Sequence, residues 1–181
     1  MPGKLEKFAD FNSFKNCFTL YFENIKEGLP MKGKWHSEYF KNQNPIVLEL
    51  GCGKGEYSVG LAKNNPDKNY IGVDIKGNRI WTGAKEALDK NLSNVAFVRT
   101  RIDFIEHCFE PGEVSEIWIT FPDPQPQKTR ERKRLTNMRF IERYRKFLKP
   151  GGLVHLKTDS TSLYEYTMEV IKENNLKILF H

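Results

Sequence analysis

The chain has 181 residues, of which 39% are hydrophobic and 29% charged, with a net charge of +6. That balance excludes wholesale disorder and predicts one domain able to bury its own core without disulfide staples. Cys17, Cys52 and Cys108 are odd in number and fit no zinc spacing, which argues against a disulfide framework or a metal site and suits a reducing cytoplasm.

Residues 1–44 are polar and aromatic with weak periodicity, and one short helix over KLEKFADF is expected there. The opening MPGKLEKFADF holds no apolar stretch of signal-peptide type, and no apolar run in the chain reaches membrane-spanning length. From residue 45 the text becomes regular, so the chain divides into an N-terminal extension (1–44) and a main domain (45–181). PIVLEL reads as a buried strand, and GCGKGEYSVGLAKNNP as a glycine turn opening a helix that proline ends. NYIGVD is a strand, NRIWTGAKEALDKN a helix, VAFVRT a strand, IDFIEHCF a short helix and SEIWITF a strand. After a proline-rich basic loop, TNMRFIERYRKFLKPGG is a helix with Thr136 as candidate N-cap and a Lys-Pro-Gly-Gly stop. LVHLKT is a fifth strand. DSTSLYEYTMEVIKENN is a helix starting on Asp159 or Ser160, and LKILF opens a sixth strand. On predicted strands, Trp118 and Phe121 are expected in the core and His155 in the core or an interface.

This alternation implies an α/β fold: a mainly parallel sheet, right-handed crossovers and helices on both faces. Ligands of such sheets collect outside the carboxyl ends of the strands, where strand order reverses. The polar clusters GCGKG, Asp74, Thr100–Arg101, PDPQP and KTDS each follow a strand, so all five converge on one edge.

The glycine turn narrows the ligand. A dinucleotide fingerprint needs glycine at positions one, three and six, but the sixth position is Glu56. A P-loop needs Gly-Lys-Ser/Thr, and Lys54 is followed by Gly55. What fits is an acidic residue before alternating glycines, Glu49-Leu-Gly51-Cys-Gly53-Lys-Gly55, the pattern of Rossmann-like S-adenosyl-L-methionine-dependent methyltransferases. That cofactor has no pyrophosphate to cradle. Its ammonium needs acceptors near the loop, such as Glu49, and its ribose hydroxyls suit an acid ending the second strand, where Asp74 stands.

The charge is local. Phe121–Lys149 carries ten basic and three acidic residues, a net +7, which leaves the other 152 residues at −1 of the total +6. Lys128, Arg130, Arg132, Lys133 and Arg134 cluster just after FPDP, a pattern suited to phosphate contacts with nucleic acid.

With ELGCGKGE, IGVD, FPDP, RKRLT, LKPGG and KTD together, the chain resembles the bacterial tRNA (guanine-N7-)-methyltransferase family, the later motifs being the specific ones. The resemblance implies methyl transfer from S-adenosyl-L-methionine to N7 of guanine 46 in the tRNA variable loop. It implies cofactor contacts from Glu49, Asp74 and Thr100–Arg101, and places Asp123 at the cofactor–substrate junction. It also implies contacts from Thr158 and Asp159 to the target nucleotide. The chain departs from the family at Gln125, where tryptophan is usual, at Gln127, where lysine is common, and at Arg101, where aspartate is usual. The family pattern continues past LKILF into closing strands and a Thr-x-x-Glu segment.

Guanine N7 is an exposed lone pair on the major-groove edge, so no base is needed to deprotonate it. The enzyme must supply alignment and a polar environment as positive charge moves to the base. Asp123 is the expected catalytic carboxylate, on a loop stiffened by Pro122, Pro124 and Pro126, and Asp159 an acceptor for the guanine N1–H or N2–H edge. Two alternatives stay open: a methyltransferase of this fold with another substrate, and a non-catalytic RNA-binding module.

Overall fold

The computed structural model describes residues 2–180. Its strands are β1 (Cys17–Thr19), β2 (Ile46–Leu50), β3 (Asn69–Asp74), β4 (Val95–Arg99), β5 (Val114–Thr120) and β6 (Leu148–Lys157). Its α-helices are α1 (Lys4–Ser13), α2 (Glu56–Asn64), α3 (Gly77–Asp89), α4 (Met138–Arg145) and α5 (Thr161–Glu173). The strands form one sheet in the order β1-β4-β3-β2-β5-β6, every neighbouring pair parallel. From β2 the chain first builds outward through β3 to β4, then returns to lay β5 and β6 on the other side. The reversal falls between β2 and β5, the position where open α/β sheets bind ligands.

Apolar side chains face both ways from the inner strands, as expected where helices cover both faces. Val47, Tyr70, Val95 and Phe97 pack with Phe11, Val59, Ile80 and Ala84 from α1, α2 and α3. Leu48, Leu50, Ile71, Val73, Val98, Ile117 and Ile119 point to the other face, where Trp35, Phe109, Phe140 and Phe147 close the core. The N-terminal segment joins this architecture. β1 pairs with β4, Cys17 opposite Phe97, and Phe11 and Trp35 are fully buried.

Several local expectations give way to the three-dimensional context. Residues 176–180 form no strand; Leu176, Ile178 and Phe180 instead line a cleft with β6 and α5. Lys-Pro-Gly-Gly does not stop a helix. α4 ends earlier, at Arg145, and these residues open β6 with a register shift against Val114 and Glu116. A side chain at Gly152 would come 2.9 Å from the Ser115 carbonyl, so that irregular start needs glycine. Asn137, not Thr136, caps α4 by accepting from the Arg139 amide at 3.0 Å, while the Thr136 hydroxyl meets that of Thr167 at 2.8 Å. IDFIEHCF forms a 3-10 helix over Ile102–His107. Trp118 is partly buried and stacks on His155 with ring centroids 4.3 Å apart; Phe121 lies outside the core, 52% exposed.

Candidate active site

The loop after β2 turns on three left-handed glycines, Gly51 (φ 75°), Gly53 (φ 57°) and Gly55 (φ 77°), a conformation that costs a side-chain-bearing residue but not glycine. Their surroundings differ. A Cβ on Gly55 would fall 2.5 Å from the Phe97 ring, so this glycine lets α2 pack on the sheet. A Cβ on Gly51 or Gly53 would meet nothing within 4 Å. These two face open space and leave the main chain accessible to a ligand. The loop is anchored by the Gly51 and Cys52 amides, which donate to the Val73 carbonyl at 2.8 and 3.0 Å.

Asp74 ends β3 beside this loop. Its Oδ2 accepts from the Gly53 amide at 3.0 Å and its Oδ1 from the Lys76 amide at 2.9 Å. Each oxygen has a second lone pair, so the carboxylate can shape the loop and still accept from a diol.

Glu49, 7% exposed, joins three elements. Its Oε2 accepts from the Ser58 amide (3.0 Å) and hydroxyl (2.6 Å) on α2, and its Oε1 from the Thr120 hydroxyl (2.7 Å) at the end of β5. Burial pushes its carboxyl above the usual range, the Ser58 and Thr120 donors pull it back, and Asp74 adds a smaller upward push. Among the described residues Glu49 has no ion-pair partner. All its donors are neutral, and one lone pair is still free for a cation. Ser58 and Thr120 carry no signal of their own in the sequence. Their roles become visible only when α2 and β5 flank β2.

β4 ends at the same edge. Thr100 is buried, and its hydroxyl has no hydrogen-bond partner among the described residues. Arg101 follows Thr100 and is exposed. Its guanidinium lies 3.5 Å from Asp103 and stacks over Phe104, and Asp103 also pairs with Arg139.

Past β5 the chain is bent hard. Phe121 and Gln125 both have positive φ (44° and 46°), and they bracket Pro122-Asp123-Pro124. The other non-glycine residues of positive φ, Lys41, Asn91 and Asn175, follow helices, where that conformation is common. Asp123 is exposed, and its Oδ1 accepts from the Gln125 amide at 3.0 Å, fixing the carboxylate across the turn. Lys128–Lys133 then form a 3-10 helix that leaves Lys128, Arg130, Arg132 and Lys133 exposed. Arg134 differs from them. It is 8% exposed, donates to the Gln125 carbonyl at 3.2 Å and lies 4.2 Å over the Tyr166 ring. It braces the loop, and its burial sets it apart from the exposed cations expected to contact phosphates. At the end of β6, Thr158 accepts from the Ser160 amide at 3.1 Å and Asp159 is exposed.

The residues fit S-adenosyl-L-methionine. Two open glycines, a buried carboxylate with neutral donors only, an acid at the end of β3 and an unpartnered buried hydroxyl line one edge. Fold and site together define a Rossmann-like methyltransferase. A family model described as "Putative methyltransferase" matches residues 43–181. The tRNA (guanine-N(7)-)-methyltransferase of Bacteroides thetaiotaomicron is 56% identical over 180 residues, 98% of this chain and 70% of that protein. That of Christiangramia forsetii is 52% identical over 179 residues, 98% of this chain and 80% of that one. A solved structure titled as an antibiotic-related methyltransferase overlays with a TM-score of 0.58 at 20% identity, covering 76% of this chain and 72% of that one, which bears on the fold alone. The chain belongs to the tRNA (guanine-N(7)-)-methyltransferase family.

Proposed function

We propose that this protein methylates N7 of guanine in tRNA, at position 46 of the variable loop, with S-adenosyl-L-methionine as methyl donor. The observation that carries this reading is the junction after β5, where an exposed, turn-fixed Asp123 is followed within a few residues by the exposed cations Lys128, Arg130, Arg132 and Lys133. A carboxylate suited to a base that becomes cationic stands next to a surface suited to phosphates. The relatives at 52–56% identity are named for this reaction.

The bound cofactor supplies an electrophilic methyl group on a sulfonium. The chain's residues supply position. Glu49 receives the cofactor's ammonium with its remaining lone pair, Asp74 its ribose hydroxyls, and the open Gly51–Gly53 backbone lies along it. Thr100 reaches the adenine region, with its main chain rather than the Arg101 side chain as neighbour. Asp123 faces the target base and offsets the charge that builds on it, and Thr158 and Asp159 approach the nucleotide from the end of β6. No proton has to leave N7, so the junction needs no general base.

The test uses methyl-labelled cofactor and two tRNAs that carry guanine or adenine at position 46. Label recovered as 7-methylguanosine from the guanine tRNA alone is the expected result. Label in both tRNAs overturns the position, and label in neither favours an RNA-binding module without chemistry.

A further inference from the structure

Phe121 combines features that rarely meet. It is a large aromatic, half exposed, on a backbone of φ 44° that strains any residue with a bulky side chain. Its amide donates to the Lys157 carbonyl at 2.7 Å, which fixes its backbone against β6. Lys157 also reaches Tyr57, the second residue of α2. Its ammonium hydrogen-bonds the Tyr57 hydroxyl and lies 5.1 Å from the Tyr57 ring centroid and 5.5 Å from that of Phe121. Three elements, α2, β5 and β6, thus hold one aromatic ring at the switch point, two residues from Asp123. Core packing does not explain the strain, because the ring is outside the core.

From this geometry we infer that Phe121 is the face on which the target base stacks, with Lys157, wedged between Phe121 and Tyr57, as the residue that positions the ring. A base presented for chemistry at its edge must leave its own stack, and an aromatic face compensates for the contacts it gives up. The Lys157 ammonium lies within cation–π range of the Phe121 ring, an arrangement cations favour at aromatic faces and which limits the ring's motion. The inference rests on the guanine reading above for the identity of the base, but the stacking face itself can be tested apart from it.

The experiment compares Phe121→Leu, Phe121→Tyr, Phe121→Trp and Phe121→Gly with wild type in three readouts. The readouts are kcat/KM for tRNA, cofactor Kd, and the fluorescence of a tRNA carrying 2-aminopurine at the variable-loop target position. Loss of base–aromatic stacking lowers affinity by about 5- to 150-fold, so Phe121→Leu should lower kcat/KM within that range with cofactor Kd unchanged. Tyr and Trp should stay within about three-fold of wild type. Wild type and Phe121→Tyr should quench the probe, and Phe121→Leu should not. Phe121→Gly should raise Tm by relaxing φ yet behave as Leu does in the other readouts, which separates loss of the ring from misfolding. Wild-type activity or quenching in Phe121→Leu would overturn the inference, as would an equal loss of cofactor affinity. Quenching that depends on Phe121 in a protein that forms no 7-methylguanosine would uphold the stacking face and overturn the guanine-N7 reading.

Discussion

Glu49 and Glu116 occupy adjacent strands, Glu49 opposite Trp118 and Glu116 opposite Val47, yet the chain treats them differently. Glu116 lies toward the amino edge of the sheet and is given a cation: Lys68 stands 2.8 Å away, and His155 at 3.4 Å. Glu49, toward the carboxyl edge, is more deeply buried and is given hydroxyls and one amide instead. The amino edge continues in the self-satisfied manner of Glu116. Asn69 donates to Asn42 and to the Asn44 carbonyl, and Asn94 donates to three carbonyls between Ala62 and Lys68. The carboxyl edge keeps its capacity open, in Glu49, in the free Thr100 hydroxyl and in two glycines facing space. The amino edge is largely closed by its own groups, while the carboxyl edge leaves acceptors and backbone open, as a ligand-binding edge would.

The strongest test of that contrast is Asp123→Asn. The amide can still accept from Gln125 N–H, so the turn persists, while the charge proposed to face the base is gone. Removal of a preorganised electrostatic partner costs on the order of 100-fold in turnover, and that loss is expected with Tm and cofactor Kd unchanged. Turnover within a few-fold of wild type would remove Asp123 from the chemistry.

The glycines divide the loop in the same way. Gly55→Ala drives a Cβ into the Phe97 ring, and overpacking with an unfavourable φ should destabilise the fold by about 2–4 kcal/mol, read as a fall in Tm. Gly53→Ala meets no atom and should lose only about 1 kcal/mol through its φ, but its methyl would enter the space proposed for the cofactor. Calorimetric titration should show at least about ten-fold weaker cofactor binding for Gly53→Ala.

Much of this is legible in the sequence, and the exceptions share a cause. Strand text between Pro45 and Thr158, the glycine loop and the convergence on one edge follow from local pattern plus the crossover rule, so they can be read directly. What escapes depends on partners distant in sequence. β1 is three residues long and is defined by its pairing with β4. Ser58 and Thr120 matter through Glu49. Arg134 looks like its basic neighbours until Tyr166 and Gln125 are seen to enclose it. Phe121 looks like the end of an apolar strand, but the positive φ that turns it outward is a property of the FPDP turn.

Arg134 turns that lesson into a smaller test. Charge reversal at Lys128, Arg132 and Lys133, all exposed, should weaken tRNA binding with Tm unchanged. It should also reduce the dependence of log K on log salt by about one for each phosphate no longer neutralised. Arg134→Ala should instead lower Tm by unbracing the loop, with little change in that slope. If both substitutions shift the salt dependence alike, Arg134 belongs with the cations proposed to bind phosphates.

The smallest effect returns to the two glutamates. Burial raises the Glu49 carboxyl above its ordinary value of 4.5. The folded protein therefore holds that proton more tightly than the unfolded chain, and stability falls as pH rises from 4.5 through the raised value. Glu116 has the opposite sign. Burial alone would raise its carboxyl, but the Lys68 hydrogen bond and charge outweigh it and the value falls below 4.5. Its contribution is present above 4.5 and is lost as pH drops through the lowered value. Glu49→Gln should therefore narrow its Tm gap below wild type, or rise above it, as pH climbs past 4.5, whereas Glu116→Gln should lose most at neutral pH and converge on wild type in acid. Saturating cofactor should sharpen the difference, because an ammonium bound at Glu49 favours its ionised form and should flatten the Glu49-dependent slope in wild type while leaving the slope due to Glu116 in place. If cofactor leaves the Glu49 slope untouched, the open lone pair of that carboxylate does not receive the ammonium.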